Sequence, residues 1–151
     1  MRIAIAADHN GVALKGRLVE MLRAQGHEVT DCGTDGTEGV VDYPPLCEDV
    51  CRRVIAGSVD RAIVVGGSGL GEVVACNKIR GIRAGLCPDV WHAEISRGNN
   101  DANVLVLGAK AIDPELRCRT INRADHHRHP AASRPVPAPR SSPPAARARR
   151  P

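Results

Sequence analysis

The chain has 151 residues, of which 42% are apolar and 25% charged, ordinary values for a globular protein and enough for one domain with or without an appendage. No apolar run approaches the length of a membrane-spanning helix, which excludes a helical membrane protein. The formal net charge of +4 is concentrated at one end: from Ala124 onward six Arg face a single Asp, whereas residues 1–123 carry 15 basic and 16 acidic side chains, so no folded basic face for nucleic acid is expected.

Arg2 to Ala7 is apolar and continuous and predicts a first strand, ending at the polar turn Asp8-His9-Asn10-Gly11. From Gly11 to Gln25, Leu14, Leu18, Met21 and Leu22 recur at helical spacing, and Gly26 closes that helix. His27 to Cys32 predicts a second strand and Gly33 to Pro45 a loop carrying Asp42-Tyr43-Pro44. Leu46 to Ala56 predicts a helix with Cys47, Val50, Cys51 and Val54 inward. A third strand, Ala62 to Val65, runs into a glycine-rich turn and a helix to about Lys78. Ile82 to Leu86 predicts a fourth strand, a helix follows to about Arg97, and Asn103 to Leu107 predicts a fifth strand. Asp113-Pro114-Glu115 opens a last predicted helix, with an N-cap and an early proline.

With one Trp, one Tyr and no Phe, the core has to be built from Val, Ile, Leu and Ala. The six cysteines, Cys32, Cys47, Cys51, Cys76, Cys87 and Cys118, include no C-x-x-C pair, and the N-terminus runs straight into an apolar strand. Reduced thiols and a cytoplasmic location are the expectation. Cys47 and Cys51 can share a helix face, but further ligands at sensible spacing are missing, so no metal site is expected.

Strand and helix alternate five times, which calls for an α/β fold: a three-layer α/β/α sandwich around a five-stranded parallel sheet, Rossmann-like, with expected strand order 2-1-3-4-5. Ligands of such sheets bind at the carboxyl ends of strands, beside the switch in strand order. That switch falls between strands one and three. It brings Asp8-His9-Asn10-Gly11 together with Gly66-Gly67-Ser68-Gly69-Leu70-Gly71-Glu72. Four glycines and one serine let bare N–H groups approach a ligand, and a turn of such groups feeding a helix attracts an anion. Glu72 is the one ionisable group of the turn. Packing alone also produces glycine-rich strand-to-helix turns, and the helix dipole by itself favours Glu in a first turn. The turn is neither a Walker A loop nor the G-x-G-x-x-G dinucleotide fingerprint.

After Arg123 the composition changes. Seven of the eleven prolines lie in residues 124–151, among Arg, Ala and Ser. This basic stretch lacks apolar anchors and is expected to be a disordered tail, and residues 1–123 the folded domain.

Several motifs recur in order: Ile-Ala-Ala-Asp-His-Asn-Gly at the start, Asp42-Tyr43-Pro44, Gly-Gly-Ser-Gly-Leu-Gly-Glu, Asn77-Lys78, Gly81-Ile82-Arg83-Ala84, and Ser96-Arg97 through Asn100-Asp101-Ala102-Asn103-Val104-Leu105. Over residues 2 to 117 the chain resembles the ribose-5-phosphate isomerase B family, which includes the galactose-6-phosphate isomerase subunits. The resemblance implies cofactor-free interconversion of aldose and ketose phosphates by a homodimer or a homotetramer. It implies substrate contacts at Asp8, His9, Tyr43, Asn99 and Asn100, and a loop, Gly67, Ser68, Gly69, Leu70 and Gly71, whose N–H groups hold sugar oxygens. Lys110 stands where an arginine usually binds phosphate; it keeps the charge and loses the bidentate fork.

Many members of that family use a Cys directly after the third strand as catalytic base, and here that position is Gly66. Another branch uses a Glu just after the loop, which is Glu72. A carboxylate can carry a proton between C1 and C2 through a cis-enediolate while loop N–H groups stabilise the oxyanion. An ordinary Glu titrates at about 4.3, and the helix dipole is expected to hold Glu72 ionised.

Two departures from the family matter. Asn99 stands where ring-opening members have a His, and an amide cannot shuttle a proton near neutral pH. His92 or Asp8 would then open the ring, or the substrate has none, as in a tetrose 4-phosphate. The family's C-terminal basic segment is replaced by Asp125-His126-His127-Arg128-His129-Pro130 and the tail. The leading expectation is an isomerase of ribose 5-phosphate and ribulose 5-phosphate with Glu72 as proton carrier. The alternatives are a tetrose-phosphate isomerase and a sugar-phosphate-binding protein impaired in catalysis. No cofactor is called for, and neither membrane nor nucleic acid is an expected partner.

Overall fold

A computed structural model describes residues 1–37 and 39–112. The last predicted helix from Asp113, Cys118, Arg128, His129 and the tail lie outside the described residues. Five strands and four helices alternate: β1 (Arg2–Ala7), α1 (Val12–Ala24), β2 (Glu28–Asp31), α2 (Tyr43–Ile55), β3 (Arg61–Gly66), α3 (Leu70–Asn77), β4 (Ala84–Leu86), α4 (Val90–Gly98) and β5 (Val104–Gly108). All pairings are parallel.

The sheet order is β2-β1-β3-β5-β4, so the last two strands are exchanged relative to the expected order. The reason is burial. Every residue of β5, Val-Leu-Val-Leu-Gly, is buried, whereas the three residues of β4 are all half-exposed. A strand apolar on both faces belongs inside a parallel sheet and a short one at its edge. The exchange also decides where α4 lies. A connection that steps back from β4 to β5 must, to stay right-handed, cross on the opposite face from one that steps outward. α4 accordingly joins α1 on one face, packing Ala93 with Leu14, Leu18 and Leu22 against Ile3, Ile5, Ile63 and Leu105. α2 and α3 cover the other face, with Cys47, Val50, Cys51 and Cys76 against Ala4, Ala6, Val64 and Val106. Alanines at 4 and 6 leave room there for the helices to approach closely.

Two boundaries differ from the sequence reading for local reasons. α2 starts at Tyr43, because Asp42 is extended (φ −72°, ψ 129°) as its N-cap and the prolines that follow need no N–H in a first turn. β4 starts at Ala84, because side chains take over the ladder before it. Arg83 N–H donates to Asn103 Oδ1 at 2.8 Å, and Asn77 brackets Ala84, accepting its N–H at 2.9 Å and donating to its carbonyl at 2.9 Å. On the far side, Lys15 of α1, nearly buried, donates to both oxygens of Asp31 at 2.7 and 2.6 Å and ties the helix to the end of β2.

Candidate active site

The switch between β1 and β3 is where two chain ends meet. Asp8 N–H donates to the Val65 carbonyl at 3.2 Å, so the first turn leaves β1 against the last residues of β3. A Cβ on Gly11 would fall 2.5 Å from that same carbonyl, so only glycine lets α1 begin there. Asp8 is buried, and its carboxylate accepts from Asn10 N–H at 2.8 Å, Asn10 Nδ2 at 3.1 Å and Gly11 N–H at 3.2 Å. Asn10 Nδ2 also lies 3.1 Å from His9 Nε2, and the Asn10 side chain is 3.4 Å from where a Cβ on Gly67 would stand. The other His9 nitrogen, Nδ1, accepts from Val41 N–H at 3.3 Å, docking the loop before α2 onto the exposed imidazole.

From β3, the chain turns through Gly67 to Gly69 into α3. Gly69 is the N-cap in the left-handed region (φ +81°), and a Cβ there would meet Leu86 Cδ1 at 2.5 Å. Leu70 N–H donates to Ser68 Oγ at 3.3 Å. The segment after β5 straps this turn down: Ala109 N–H donates to the Gly66 carbonyl at 2.8 Å and Lys110 N–H to the Gly67 carbonyl at 2.9 Å. Lys110 itself is exposed at this end of the sheet. The Tyr43 phenol lies over Gly71, 2.6 Å from the position of an absent Cβ. Leu70 is exposed.

Glu72 sits in the first turn of α3 and is only 4% exposed. Its carboxylate folds back onto Gly66: a Cβ on that glycine would fall 1.7 Å from Oε1 and 2.1 Å from Cδ. The space of a side chain at position 66 is therefore occupied by the Glu72 carboxylate. The same group accepts the N–H of Gly69 and its own N–H. Burial pushes its pKa above the ordinary carboxylate value, the charge of Asp8 pushes the same way, and the two N–H contacts offset only part of this. Burial thus moves this Glu in the direction opposite to the one the helix dipole alone would give.

Asp8, His9, Tyr43, Gly67, Ser68, Gly69, Leu70, Gly71, Glu72 and Lys110 all lie at the carboxyl ends of the strands. Asn99 and Asn100 do not. α4 runs back along the sheet, and the turn after it feeds β5 at Val104, where the Asn103 carbonyl accepts Ala62 N–H at 3.1 Å. Both asparagines are exposed at the amino ends, about one strand length, roughly 15 Å, from Lys110 in the same protomer. His92 is held at the start of α4, where Nδ1 lies 2.8 Å from Asp89 Oδ1, beyond the edge strand and two strands from β3. The reading of the sequence passed over Asn10, which links Asp8, His9 and the glycine turn. Its place between a His and a turn glycine was the available signal. Among the described residues no group of three or more His, Cys, Asp or Glu is arranged to hold a metal ion.

A doubly wound sheet with a buried carboxylate in an amide-lined turn at its switch point is the build of an enzyme for small anionic substrates. The ribose/galactose isomerase family profile matches residues 3–124. Ribose-5-phosphate isomerase B of Escherichia coli is 41% identical over 115 residues, 76% of each chain, and that of Mycobacterium tuberculosis 39% identical over 110 residues, 73% of this chain and 68% of its own. The solved ribose-5-phosphate isomerase B of Clostridium thermocellum superposes with a TM-score of 0.83 at 39% identity, covering 85% of this chain and 86% of that one. The Mycoplasma genitalium enzyme, solved with bound ribulose-5-phosphate, gives 0.81 at 29% identity and 85% coverage of each chain. The chain belongs to the ribose/galactose isomerase family and is an aldose–ketose isomerase of sugar phosphates. Among the described residues no helix is long and apolar enough to cross a membrane.

Proposed function

We propose that the chain interconverts ribose 5-phosphate and ribulose 5-phosphate, with Glu72 carrying the proton between C2 and C1. The observation that carries this reading is the Glu72 carboxylate, buried against Gly66 and next to Asp8. On the open-chain aldose, the carboxylate takes the C2 proton and the C2–H electron pair forms the C1–C2 double bond of a cis-enediolate. The negative charge that develops on O1 is met by N–H groups of the glycine turn, which need no reorganisation to receive it. The O2 proton passes to O1, and as the O2 electron pair forms the C2 carbonyl the C1–C2 double bond takes the proton back from the protonated Glu72 at C1. A pKa raised above the ordinary carboxylate value by burial suits a group that must first accept and then donate.

Asp8, braced by three N–H donors, keeps a fixed acceptor at the sugar hydroxyls, and His9 and Lys110 face the substrate's phosphorylated end. The working unit is a homodimer or a dimer of dimers, since Asn99 and Asn100 can reach substrate only across a protomer boundary. The relatives named ribose-5-phosphate isomerase B support the pentose, and one Bacillus subtilis relative is named no more finely than a sugar phosphate isomerase.

The test is a coupled assay of Glu72→Gln, for which turnover should fall at least a hundredfold; a larger residue of activity argues against a direct role. One observation favours a second substrate reading. Asn99 offers no titrating group and His92 is paired with Asp89, which leaves Asp8 alone to open a ring; a tetrose 4-phosphate, which cannot close a furanose ring, would need no ring opening. Turnover of pentose phosphate as fast as tetrose phosphate removes that reading.

A further inference from the structure

Asn10 makes more contacts than its turn requires. The turn into α1 is closed by backbone groups. Gly11 N–H donates to the Asp8 carbonyl at 3.0 Å, and the N–H groups of Asn10 and Gly11 donate to Asp8 Oδ1 at 2.8 and 3.2 Å. None of these bonds needs an amide side chain. That side chain is nevertheless half-buried and lodged among three groups. Its Nδ2 lies 3.1 Å from Asp8 Oδ2 and 3.1 Å from His9 Nε2, and it packs over the bare face of Gly67.

The amide can lie only one way round. Turned over, its carbonyl oxygen would face the Asp8 carboxylate, acceptor against acceptor, so the NH2 group stays between Asp8 and His9. An amide nitrogen only donates, and its two hydrogens point to Asp8 Oδ2 and His9 Nε2. Nε2 must then offer a lone pair. Val41 N–H approaches the other ring nitrogen, Nδ1, at 3.3 Å and needs a lone pair there too. A neutral imidazole has one accepting nitrogen, so the two donors compete for the ring. The Asn10 contact is the shorter, and its donor is pinned by Asp8 and Gly67. Val41 belongs to an exposed stretch two residues after Gly39, whose φ is +73° and whose surroundings are open. The loop contact is therefore the one that yields.

We propose that Asn10 is a positioning residue of the isomerase site: it holds His9 with Nε2 as acceptor, so that the ring's single proton sits on Nδ1 and is offered to substrate. This rests on the placing of His9 at the phosphorylated end of the sugar proposed above. A phosphate dianion only accepts, so a ring nitrogen that meets it has to carry a hydrogen. Without the Asn10 amide, Val41 N–H is the donor left on the ring; Nδ1 then accepts and the proton moves to Nε2. Asp8 keeps its two backbone donors in either case, so the loss of the amide falls mainly on His9.

The experiment reads the proton directly. Long-range nitrogen–hydrogen correlation spectra of the full chain, labelled with nitrogen-15 and held near pH 8 where ordinary imidazoles are neutral, distinguish a protonated ring nitrogen from a bare one. Loss of signals in His9→Ala identifies His9. The parent should carry the His9 proton mainly on Nδ1, and Asn10→Ala should move most of it to Nε2. Asn10→Asp puts an acceptor oxygen where Nδ2 was and should do the same, which covers an alanine variant that fails to fold. In the coupled assay Asn10→Ala should raise KM about fivefold and change kcat by less than about twofold, the mark of lost substrate binding rather than lost chemistry. In a His9→Ala background the same substitution should change KM by less than about twofold, because its effect runs through the ring. The proposal is overturned if half or more of the parent's His9 proton sits on Nε2, or if Asn10→Ala leaves that proton where it was. It is equally overturned if Asn10→Ala leaves KM unmoved, or if its effect on KM persists in full without His9. The ring spectra need no turnover, so their failure is distinct from failure of the Glu72 reading, which the Glu72→Gln assay decides.

Discussion

Replacing Gly66 by Ala probes the geometry on which the proton transfer depends. The added Cβ would stand 1.7 Å from Glu72 Oε1, and real Cβ atoms keep at least 3.0 Å, so the carboxylate has to retreat by about 1.3 Å. Misplacing a reacting group by about 1 Å can cost on the order of a hundredfold in rate, so kcat should fall by about that factor while KM changes little. The retreat also pulls the carboxylate from the Gly69 N–H, and stability should drop by about 1–3 kcal/mol, the scale of one hydrogen bond to a charged group. Pairing the change with Glu72→Ala removes the collision. The two substitutions should therefore be non-additive by about 1 kcal/mol or more in a urea-unfolding cycle. Gly66→Cys with Glu72→Ala places a thiol where the carboxylate lay, and should recover about tenfold over Glu72→Ala alone in the coupled assay. A Gly66→Ala enzyme with kcat within about threefold of the parent would refute the reasoning, because the carboxylate would then not be acting from its place against β3.

The acid limb of kcat/KM should lie above the ordinary Glu value, because burial and then Asp8 raise Glu72; Asp8→Asn removes one of the two causes and should move the limb to lower pH in a pH–rate profile. The same shift has a stability consequence. A carboxyl with a raised folded-state pKa contributes stability that is fully present below its unfolded value, near 4.5, and is lost as pH rises through the folded value. Glu72→Gln should accordingly match the parent's Tm near pH 4 and exceed it at pH 7.5 in paired melts, and a parent more stable at pH 7.5 would contradict the assignment. Lys15→Met breaks the bond to Asp31 while keeping the apolar stem; with Asp31 more than a third exposed, the loss should be about 1–3 kcal/mol by urea unfolding rather than the 3–5 of a fully buried pair.

Much of the site was legible from residue order because it is built by local chemistry. The glycines at 66, 67, 69 and 71 announce a turn that few other residues could make, and the carboxylate that follows is a first-turn residue of the helix that turn starts. The roles of Asp8 and His9 came from the resemblance rather than from their spacing. Asn10 escaped notice because an Asn before a turn glycine is ordinary turn chemistry, and only the fold shows that its amide reaches Gly67 across the switch.

The sequence by itself determined the alternation of strands and helices, the switch between the first and third strands, and the turn that carries Glu72. Periodicity, glycine placement and apolar runs act over a few residues and need no partner. Only the tertiary structure decided that β5 lies inside β4, that α4 shares a face with α1, and that Asn99 and Asn100 lie a strand's length from the crevice of their own protomer. It also decided that Glu72 fills the side-chain space of Gly66 and is buried enough to titrate high. Each of these depends on which surfaces are left to bury once the elements exist. That competition runs over the whole molecule, and no short window of residues contains it.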